Sequence, residues 1–265
     1  MGRNKLLIII SLFLLLFMLW WTLPNGKGKV VMCDVGQGDA VLASYKNVQI
    51  LIDLGPDNKK LLKCLDRHLP FWDKRIEIVI LSHGDSDHIG GLDDLLRSYR
   101  VDYFFSNGLL DKDIEEKIYS KKIGQNDVIR TNMFDFDVFF PSENDNELDD
   151  GNEMSVTGIL KWKGDGKSRG WSMFMGGDLD KEGEQRLVWR DILDEEVEVL
   201  KVGHHGSKTS TSRELLEILK PKMAIIGVGK NSFGHPDEEV LGILEDYDVE
   251  IKRTDMVGDI VFNLE

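Results

Sequence analysis

Four acidic and imidazole side chains are crowded into one short stretch of this sequence. His83, Asp85, Asp87 and His88 lie within six residues, and the two carboxylates would repel each other unless a cation held them together. A divalent metal ion resolves that conflict, because imidazole and carboxylate groups both bind such ions. For either aspartate alone, the plainer interpretation is a solvated turn that caps the following helix. The complete His-x-Asp-x-Asp-His string favours a metal site.

Three later turns carry further polar side chains that the same site could use. Asp178 ends a Gly-Gly-Asp turn, where its carboxylate could bridge two ions or simply cap a helix. His204 and His205 are adjacent and point in different directions, so we expect His204 to bind metal and His205 to orient it, donate a proton or contact substrate. His235 could be a ligand, a substrate-binding group or a general acid, or merely precede a helix.

Each of these turns follows a predicted strand, and strands that end at one sheet edge would bring the turns together. Short apolar or β-branched runs predict strands at residues 30–34, 40–43, 48–52, 76–82, 136–140, 171–175, 197–202, 223–228 and 260–263. Apolar residues at three- and four-residue spacing predict helices at residues 59–68, 91–98, 180–189, 212–219 and 238–245. Early hairpins followed by alternating strands and helices indicate an α/β protein. The charged, Asn-rich residues 143–150 predict a mobile surface loop, which could form a rim of the site.

The charge balance excludes a general polyanion-binding protein. The 265 residues contain 33 basic and 47 acidic side chains, a net charge of −14. Residues 1–29 hold four bases and no acid, so residues 30–265 carry 29 bases against 47 acids, a net charge of −18. Such a domain repels phosphate as a whole, and bound metal is a candidate for the local positive feature that nucleic acid would need. Cys33 and Cys64 lack the spacing of a structural zinc site and could form at most one disulfide.

The amino-terminal residues predict a membrane anchor. Residues 6–23 form an 18-residue run without charge, which as a helix would span about 27 Å, just enough for a hydrocarbon core of roughly 30 Å. Arg3 and Lys5 precede the run, while Trp20 and Trp21 lie near its far end. This arrangement predicts a cytoplasmic amino terminus and an extracytoplasmic body, in a single-pass protein of the cell membrane.

Two alternatives to this anchor stay open. A cleaved signal peptide fits the same pattern, although no clear small-x-small cleavage site follows the run. Lys27 and Lys29 weaken the charge asymmetry, and the reverse orientation would leave the body in the cytoplasm. The predicted organisation is an anchor over residues 1–24, a linker over residues 25–29 and one domain over residues 30–265.

The motifs together resemble the metallo-β-lactamase fold superfamily. His-x-Asp-x-Asp-His, Gly-Asp-Leu and His-His-Gly-Ser occur in this order, and the chain is most similar to the branch formed by the carboxyl-terminal domain of the competence DNA-uptake protein ComEC. Residues 34–40, 51–55 and 253–258 also match this branch, so the resemblance covers nearly all of residues 30–265. It implies a four-layer αββα sandwich with a metal site along one edge. It also implies hydrolase chemistry, with phosphodiester cleavage by a nuclease as the first expectation.

The resemblance also implies the ligands of two divalent ions, Zn²⁺ or Mn²⁺. The residues predicted to hold them are His83, Asp85, Asp87, His88, Asp178 and His204. His83 and Asp85 would hold one ion, Asp87 and His88 the other, with Asp178 bridging. The chain departs from the superfamily at position 85, which is usually histidine, and in having no histidine between residues 88 and 204. One usual ligand is therefore missing.

Two ions at such a site can activate water and stabilise a phosphoryl transition state. The residues predicted to be catalytic are Asp87, His205 and His235, and either of these histidines could protonate the leaving oxygen. Those predicted to hydrogen bond to a phosphate oxygen are Ser207, Thr209 and Asn231. Residues 36–39, Gly-Gln-Gly-Asp, lack the following Lys-Ser/Thr of a phosphate-binding P-loop and are interpreted as a tight turn beside the site.

Two other functions stay open. One is hydrolysis of small esters, thioesters, lactones or phosphorylcholine-like substrates, which the same metal centre would permit. The other is a non-catalytic metal-binding module that assists a separate DNA-uptake channel. The predicted partners are the membrane, through the amino-terminal helix, and single-stranded DNA or another phosphodiester. Translocation of DNA by this chain is not expected, because ComEC has many membrane segments where this chain has one predicted segment.

Overall fold

The computed structural model of the protein describes residues 3–21, 26–108, 118–142, 145, 152–164, 170–190 and 192–265. The strands of these residues are β1 (Gly28–Met32), β2 (Val41–Tyr45), β3 (Val48–Ile52), β4 (Arg75–Ile80), β5 (Arg100–Ser106), β6 (Tyr119–Lys122), β7 (Val128–Arg130), β8 (Phe134–Phe140), β9 (Thr157–Trp162), β10 (Trp171–Met175), β11 (Val199–Lys201), β12 (Met223–Ile226), β13 (Glu250–Arg253) and β14 (Ile260–Leu264). Their α-helices are α1 (Arg3–Trp21), α2 (Lys60–His68), α3 (Ser86–Ile89), α4 (Leu92–Ser98), α5 (Lys181–Trp189), α6 (Arg213–Leu219), α7 (Glu238–Asp246) and α8 (Thr254–Val257).

The strands form two mixed sheets of seven strands each. The order in the first is β14-β1-β2-β3-β4-β5-β6, and in the second it is β13-β12-β11-β10-β9-β8-β7. Strands β3 to β6 pair in parallel, as do β10 to β13, whereas the other pairs are antiparallel. The predicted site turns follow the parallel strands β4, β10, β11 and β12. Because the carboxyl ends of parallel strands lie at one sheet edge, each sheet brings its own turns together there.

Three apolar clusters determine the order of the layers. The central cluster joins the inner faces of both sheets, with Ile50 from the first and Phe136 from the second. A second cluster packs α2 and α4 on the outer face of the first sheet, through residues such as Leu65. A third packs α5, α6 and α7 on the second sheet, through residues such as Leu216. The layers are therefore helix, sheet, sheet and helix, as in the predicted αββα sandwich.

Helix α1 coincides with the predicted anchor. Its charge-free part within the described residues runs over 6–21, about 24 Å at 1.5 Å per residue, against a hydrocarbon core of about 30 Å. Across the described part of the chain, no helix combines the length and the apolar character needed to cross a membrane. The spanning helix predicted over residues 6–23 is therefore not found. The division into anchor, linker and a domain over residues 30–265 stays a prediction.

The loop predicted at residues 143–150 lies outside the described residues except for Asp145. That carboxylate is 1% exposed and accepts hydrogen bonds from Ser142 and from the guanidinium groups of Arg186 and Arg190. The single described residue of the loop is thus packed beside α5.

Cys33 and Cys64 form the one disulfide that their number allows, across a sequence separation of 31 residues. The bond ties the chain that follows β1 to helix α2. In the chain-entropy treatment, closing a loop of this length stabilises the fold by about 4 kcal/mol. The disulfide therefore anchors the start of the segment 34–40, which leads into the site.

Candidate metal centre

Turns that follow β4, β10, β11 and β12 meet at one edge of the two sheets. They enclose a cleft of about 570 Å³. The residues that line it are Gln37, Asp85, Ser86, Asp87, Asp178, His204, His205, Phe233 and His235. The structure thus brings together side chains that are up to 198 positions apart in the sequence.

Asp178 lies at the centre of four histidines, each of which points Nε2 toward its carboxylate. Nε2 of His88 is 3.2 Å from Oδ1 of Asp178. Nε2 of His205, His204 and His83 lies 3.5, 3.8 and 3.9 Å, respectively, from Oδ2. Asp178 itself is only 2% exposed. One carboxylate is therefore shared by four imidazoles in a largely desolvated place.

The other ring nitrogen of each histidine contacts a separate partner. The partners of Nδ1 are Ser82 Oγ for His83 at 2.9 Å, Asp53 Oδ2 for His88 at 2.9 Å, Gly227 O for His205 at 2.8 Å and Thr209 Oγ1 for His204 at 3.3 Å. Such contacts fix the ring and leave Nε2 to face the centre, which is the usual preparation of a metal-binding histidine.

The residues present fit a divalent metal ion. Nε2 of His83 is buried and makes no hydrogen bond among the described residues, and a buried polar atom without a partner is costly. Ligand atoms of four buried residues lie within 4.8 Å of one another, and these are Asp39, His88, Asp178 and His205. Imidazole nitrogen and carboxylate oxygen are donors that suit Zn²⁺ and also Mn²⁺.

Near Asp178, the side chain of His205 is in close contact with those of Asp87 and His88, and we call these three residues the tight group. Nε2 of His205 lies 3.1 Å from Oδ2 of Asp87 and 3.3 Å from Nε2 of His88. The two histidines are almost completely buried. The structure thus places His205, rather than His204, among the closest potential ligands. Which of the two binds metal stays a prediction.

The other three side chains form what we call the loose group: His83, Asp85 and His204. The carboxylate of Asp85 lies 3.7 Å from Nε2 of His83, and its side chain is 54% exposed. His204 is 28% exposed. The contacts of this group with each other and with Asp178 are all 3.7 Å or longer.

The motifs in the sequence did not identify three charged residues of the centre: Asp39, Asp53 and Lys201. Lys201 is fully buried, where its Nζ pairs with Asp39, lies 3.6 Å from Oδ1 of Asp178 and donates to the carbonyl of Gly177 at 3.0 Å. A lysine within the apolar run 197–202 is a signal that could have found it, because lysine is almost never fully buried unless it is paired.

The turn that contains Asp39 packs directly against the tight group. The backbone N–H of Asp39 donates to the carbonyl of Asp87 at 3.2 Å. Gly38 has φ +138°, and a Cβ there would lie 2.3 Å from that same carbonyl oxygen, so only glycine fits. The Gly-Gln-Gly-Asp segment is therefore a tight turn, as predicted, and it also supplies a buried carboxylate to the site.

The backbone is strained at the two adjacent histidines. His204 and His205 have φ values of 47° and 53°, in the left-handed region that residues with a Cβ rarely adopt. Residues held in that region cost of order 1–3 kcal/mol each and cluster at functional sites. The strain turns both imidazoles toward Asp178 directly after β11.

The pKa values differ between the two groups when no metal is bound. Burial disfavours the charged form of His205, but the carboxylates of Asp178 and Asp39 outweigh it and raise the pKa to about 9. Burial likewise opposes ionisation of Asp178, but His88 and His205 hold the pKa of its carboxyl well below the usual range. Burial lowers the pKa of His204, so this imidazole is neutral at pH 7.

The predicted substrate-binding residues lie on two loops beside the cleft. Ser207 Oγ and Thr209 Oγ1 are 2.9 Å apart, and Thr209 also contacts His204. The side chain of Asn231 is engaged within its own loop, where Oδ1 accepts three backbone N–H bonds and Nδ2 donates to two carbonyls. The ring of His235 lies 5.7 Å from the ring of His204.

The chain is similar in sequence to several known proteins. A family model described as Metallo-beta-lactamase superfamily matches residues 33–158. The ComE operon protein 3 of Bacillus subtilis is 31% identical over 90% of this chain and 33% of its own length. The Competence protein ComA of Neisseria gonorrhoeae is 28% identical over 91% of this chain and 33% of its own length. The chain thus spans about a third of the length of these curated relatives.

The fold is also shared with solved structures. Igni18 of the archaeon Ignicoccus hospitalis, described as a metallo hydrolase, superposes with a TM-score of 0.60 over 89% of this chain and 100% of that chain. The two are 15% identical, so this likeness concerns the fold alone.

Proposed function

The chain belongs to the metallo-β-lactamase superfamily, and we propose that it is a metal-dependent hydrolase of phosphodiesters. The observation that carries the proposal is the convergence of four histidine Nε2 atoms on the buried carboxylate of Asp178. A bound divalent ion would supply Lewis acidity and a water nucleophile at neutral pH.

The ligands that we assign are the side chains of the tight and loose groups. Asp87, His88 and His205 would hold one ion with Asp178, because their contacts are the shortest. His83, Asp85 and His204 would hold a second ion more weakly. We assign Zn²⁺ or Mn²⁺ from the mixture of carboxylate and imidazole donors.

The remaining polar side chains would position the substrate. His235 lines the same cleft and lies outside both groups, so we assign proton transfer at the leaving oxygen to His235. This leaves His205 to the metal. Thr209, whose hydroxyl is near His204, would contact a phosphate oxygen together with Ser207. Asn231 would act indirectly, by holding the backbone of the loop that carries His235.

Phosphodiesters suit the charge of the site better than neutral esters do. The negative charge of the chain repels an anion everywhere except at bound metal, so a phosphate would be directed to the centre. The name of one curated relative, the Competence protein ComA, refers to competence, which supports nucleic acid as the natural phosphodiester and a DNA-uptake system as the partner.

The disulfide supports an extracytoplasmic location for the body of the chain. Disulfides persist in oxidising compartments and are rare in the cytosol. We therefore propose that Cys33 and Cys64 are oxidised in the cell. Alkylation of lysates under denaturing conditions, before and after reduction, tests this location. Free thiols before reduction would contradict it.

A substrate screen on the purified full chain tests the proposed activity. Single- and double-stranded DNA, RNA, bis(p-nitrophenyl) phosphate, and carboxyl esters and thioesters are each incubated with Mn²⁺, Zn²⁺ or chelator. We expect metal-dependent cleavage of phosphodiesters. Cleavage confined to carboxyl esters or thioesters would contradict the proposal. Tight binding of an ion without hydrolysis of any substrate would instead indicate the accessory module.

A further inference from the structure

The loop after β12 presents an aromatic ring at the mouth of the cleft. Phe233 lines the cleft together with Asp178 and His204, yet its side chain is 73% exposed. A phenyl ring is among the largest apolar surfaces in a protein. Its position beside the metal centre, with most of its surface in water, leaves the ring accessible to a ligand bound in the cleft.

This ring is held in place by its loop. Oδ1 of Asn231 accepts hydrogen bonds from the backbone N–H groups of Phe233, Gly234 and His235, at 3.1, 3.0 and 3.1 Å. Nδ2 of Asn231 closes the loop by donating to the carbonyls of Gly229 and His235. A ring on such a fixed backbone loses little conformational entropy when a ligand binds.

Aromatic contacts connect Phe233 to the metal centre. Its ring stacks on that of His235, with centroids 5.7 Å apart and planes inclined by 29°. His235 in turn makes an edge contact with His204 at 5.7 Å, and Nε2 of His204 faces Asp178. A flat group lying on Phe233 would thus be connected to the centre through the rings of His235 and His204.

Charge explains why stacking would be needed here. Proteins that bind single strands usually combine a positive groove with aromatic rings on which bases stack. A chain with a net charge of −14 offers little general attraction for phosphates, so contacts that do not depend on charge matter more. Stacking is independent of the charge of the protein, and unpaired bases offer their faces to it.

We propose that Phe233 is a base-stacking residue, on which a nucleobase of a single-stranded substrate lies while the adjoining phosphate occupies the metal centre. This inference rests on the proposed phosphodiesterase function, and it assigns the preference for nucleic acid over simple phosphodiesters to one side chain. Bases within a duplex are already stacked on each other, so Phe233 favours single strands over duplexes.

Calorimetric binding of two small ligands to the metal-loaded full chain tests the proposal without catalysis. Deoxyadenosine 5′-monophosphate carries both a base and a phosphate, whereas 2-deoxyribose 5-phosphate lacks the base. We expect the nucleotide to bind about tenfold more tightly, since stacking of one base is typically worth a factor of this order or more. Phe233→Ala removes the difference and Phe233→Trp retains it. Phe71→Ala is the matched control and leaves both affinities unchanged. Phe71 is similarly exposed, at 70%, but it lies before the start of β4, whereas the metal centre lies after the end of that strand.

Kinetics on oligonucleotides give the second measurement. Phe233→Ala raises KM for a single-stranded oligonucleotide about tenfold and leaves kcat/KM for an oligomer of abasic sites unchanged. Equal binding of the two small ligands to the wild-type chain, or a preference that survives Phe233→Ala, overturns the stacking role. A chain that prefers the nucleotide but hydrolyses no phosphodiester contradicts the proposed function instead, so the two failures are distinguishable.

Discussion

The tight and loose groups share one carboxylate but differ in contact distance and, apart from the buried His83 and the partly exposed Asp87, in exposure. Contacts in the tight group and with Asp178 are 3.1–3.5 Å, whereas those in the loose group are 3.7–3.9 Å. The tight group contains two buried histidines, while the loose group includes the exposed Asp85. Asp85, one of the two departures from the superfamily pattern, belongs to the loose group. This difference supports the proposal that one ion binds strongly and a second weakly.

Removal of the shared carboxylate is expected to have the largest effect, since it breaks both groups together. Asp178→Asn lowers phosphodiesterase activity by about 1,000-fold or more and removes both the strongly and the weakly bound ion. Metal content after gel filtration, measured by mass spectrometry, reports the loss. The matched control is Asp135→Asn, whose carboxylate pairs with Lys163 away from the cleft. Full metal content in Asp178→Asn would contradict a shared ligand.

Substitution of Lys201 tests the electrostatics of the tight group, because this lysine supplies a fixed positive charge beside it. Lys201→Met leaves Asp39 buried without its partner, which typically costs about 3–5 kcal/mol of unfolding free energy. Bound metal supplies a replacement charge, so the loss is smaller in the metal-loaded protein than with chelator. Denaturant unfolding under both conditions measures the difference.

The control for Lys201→Met is Lys161→Met, which breaks partly exposed ion pairs with Asp137 and Glu195 and should cost about 1 kcal/mol or less. Equal destabilisation of Lys201→Met with and without metal would contradict a charge role and indicate packing alone.

Substitution of the adjacent histidines compares the two groups directly. His205→Ala is expected to weaken binding of the strongly held ion by about 100-fold, and His204→Ala by about tenfold or less. The difference is expected because His205 would bind that ion directly, whereas the contacts of His204 are longer. Competition with a chromogenic chelator measures both affinities. A larger loss in His204→Ala would reverse the assignment of the groups and restore the sequence-based choice of His204.

The smallest expected effect is the change of metal affinity with pH, counted per pH unit. Since the pKa of His205 is about 9 without metal, the metal-free protein carries a proton on this imidazole at pH 7, and a metal ion must displace it. Affinity therefore falls as the pH is lowered below 9, by about tenfold per pH unit for each displaced proton.

Calorimetry in buffers of different ionisation enthalpy counts the protons released at pH 7. At least one is expected in the wild type and one fewer in His205→Ala. The number should not change in His204→Ala, because burial keeps His204 neutral at that pH. Binding without proton release would contradict the charge state assigned to the tight group.

Much of the fold was predictable because its central elements carry clear periodicity. Strands β3 and β10 have the predicted bounds, and α2 and α4 to α7 begin and end within one residue of the predictions. The edge strands β6, β7 and β13 were missed, because a strand with one neighbour and a solvated face can be polar and short, as in Glu-Ile-Lys-Arg of β13. β5 and β9 were missed although apolar residues occur in both.

The site residues that could be predicted are polar residues in turns that follow apolar strands. Asp87, His88 and Asp178 stand out in this way. Lys201 and Asp53 do not stand out, although Asp53 directly follows β3, because each is a lone charged residue whose partners are distant in sequence. The choice between His204 and His205 depends on a strained backbone, which no local pattern reveals.

The location of the bound ion is the most direct test of the proposed metal centre. Anomalous diffraction from crystals of the full chain grown with limiting Zn²⁺ locates each bound metal. We predict the strongest peak within coordination distance of Nε2 of His88, Nε2 of His205 and the carboxylate of Asp178, with a weaker peak beside His83. A strongest peak beside His83 and Asp85, or no peak at Asp178, would contradict this prediction.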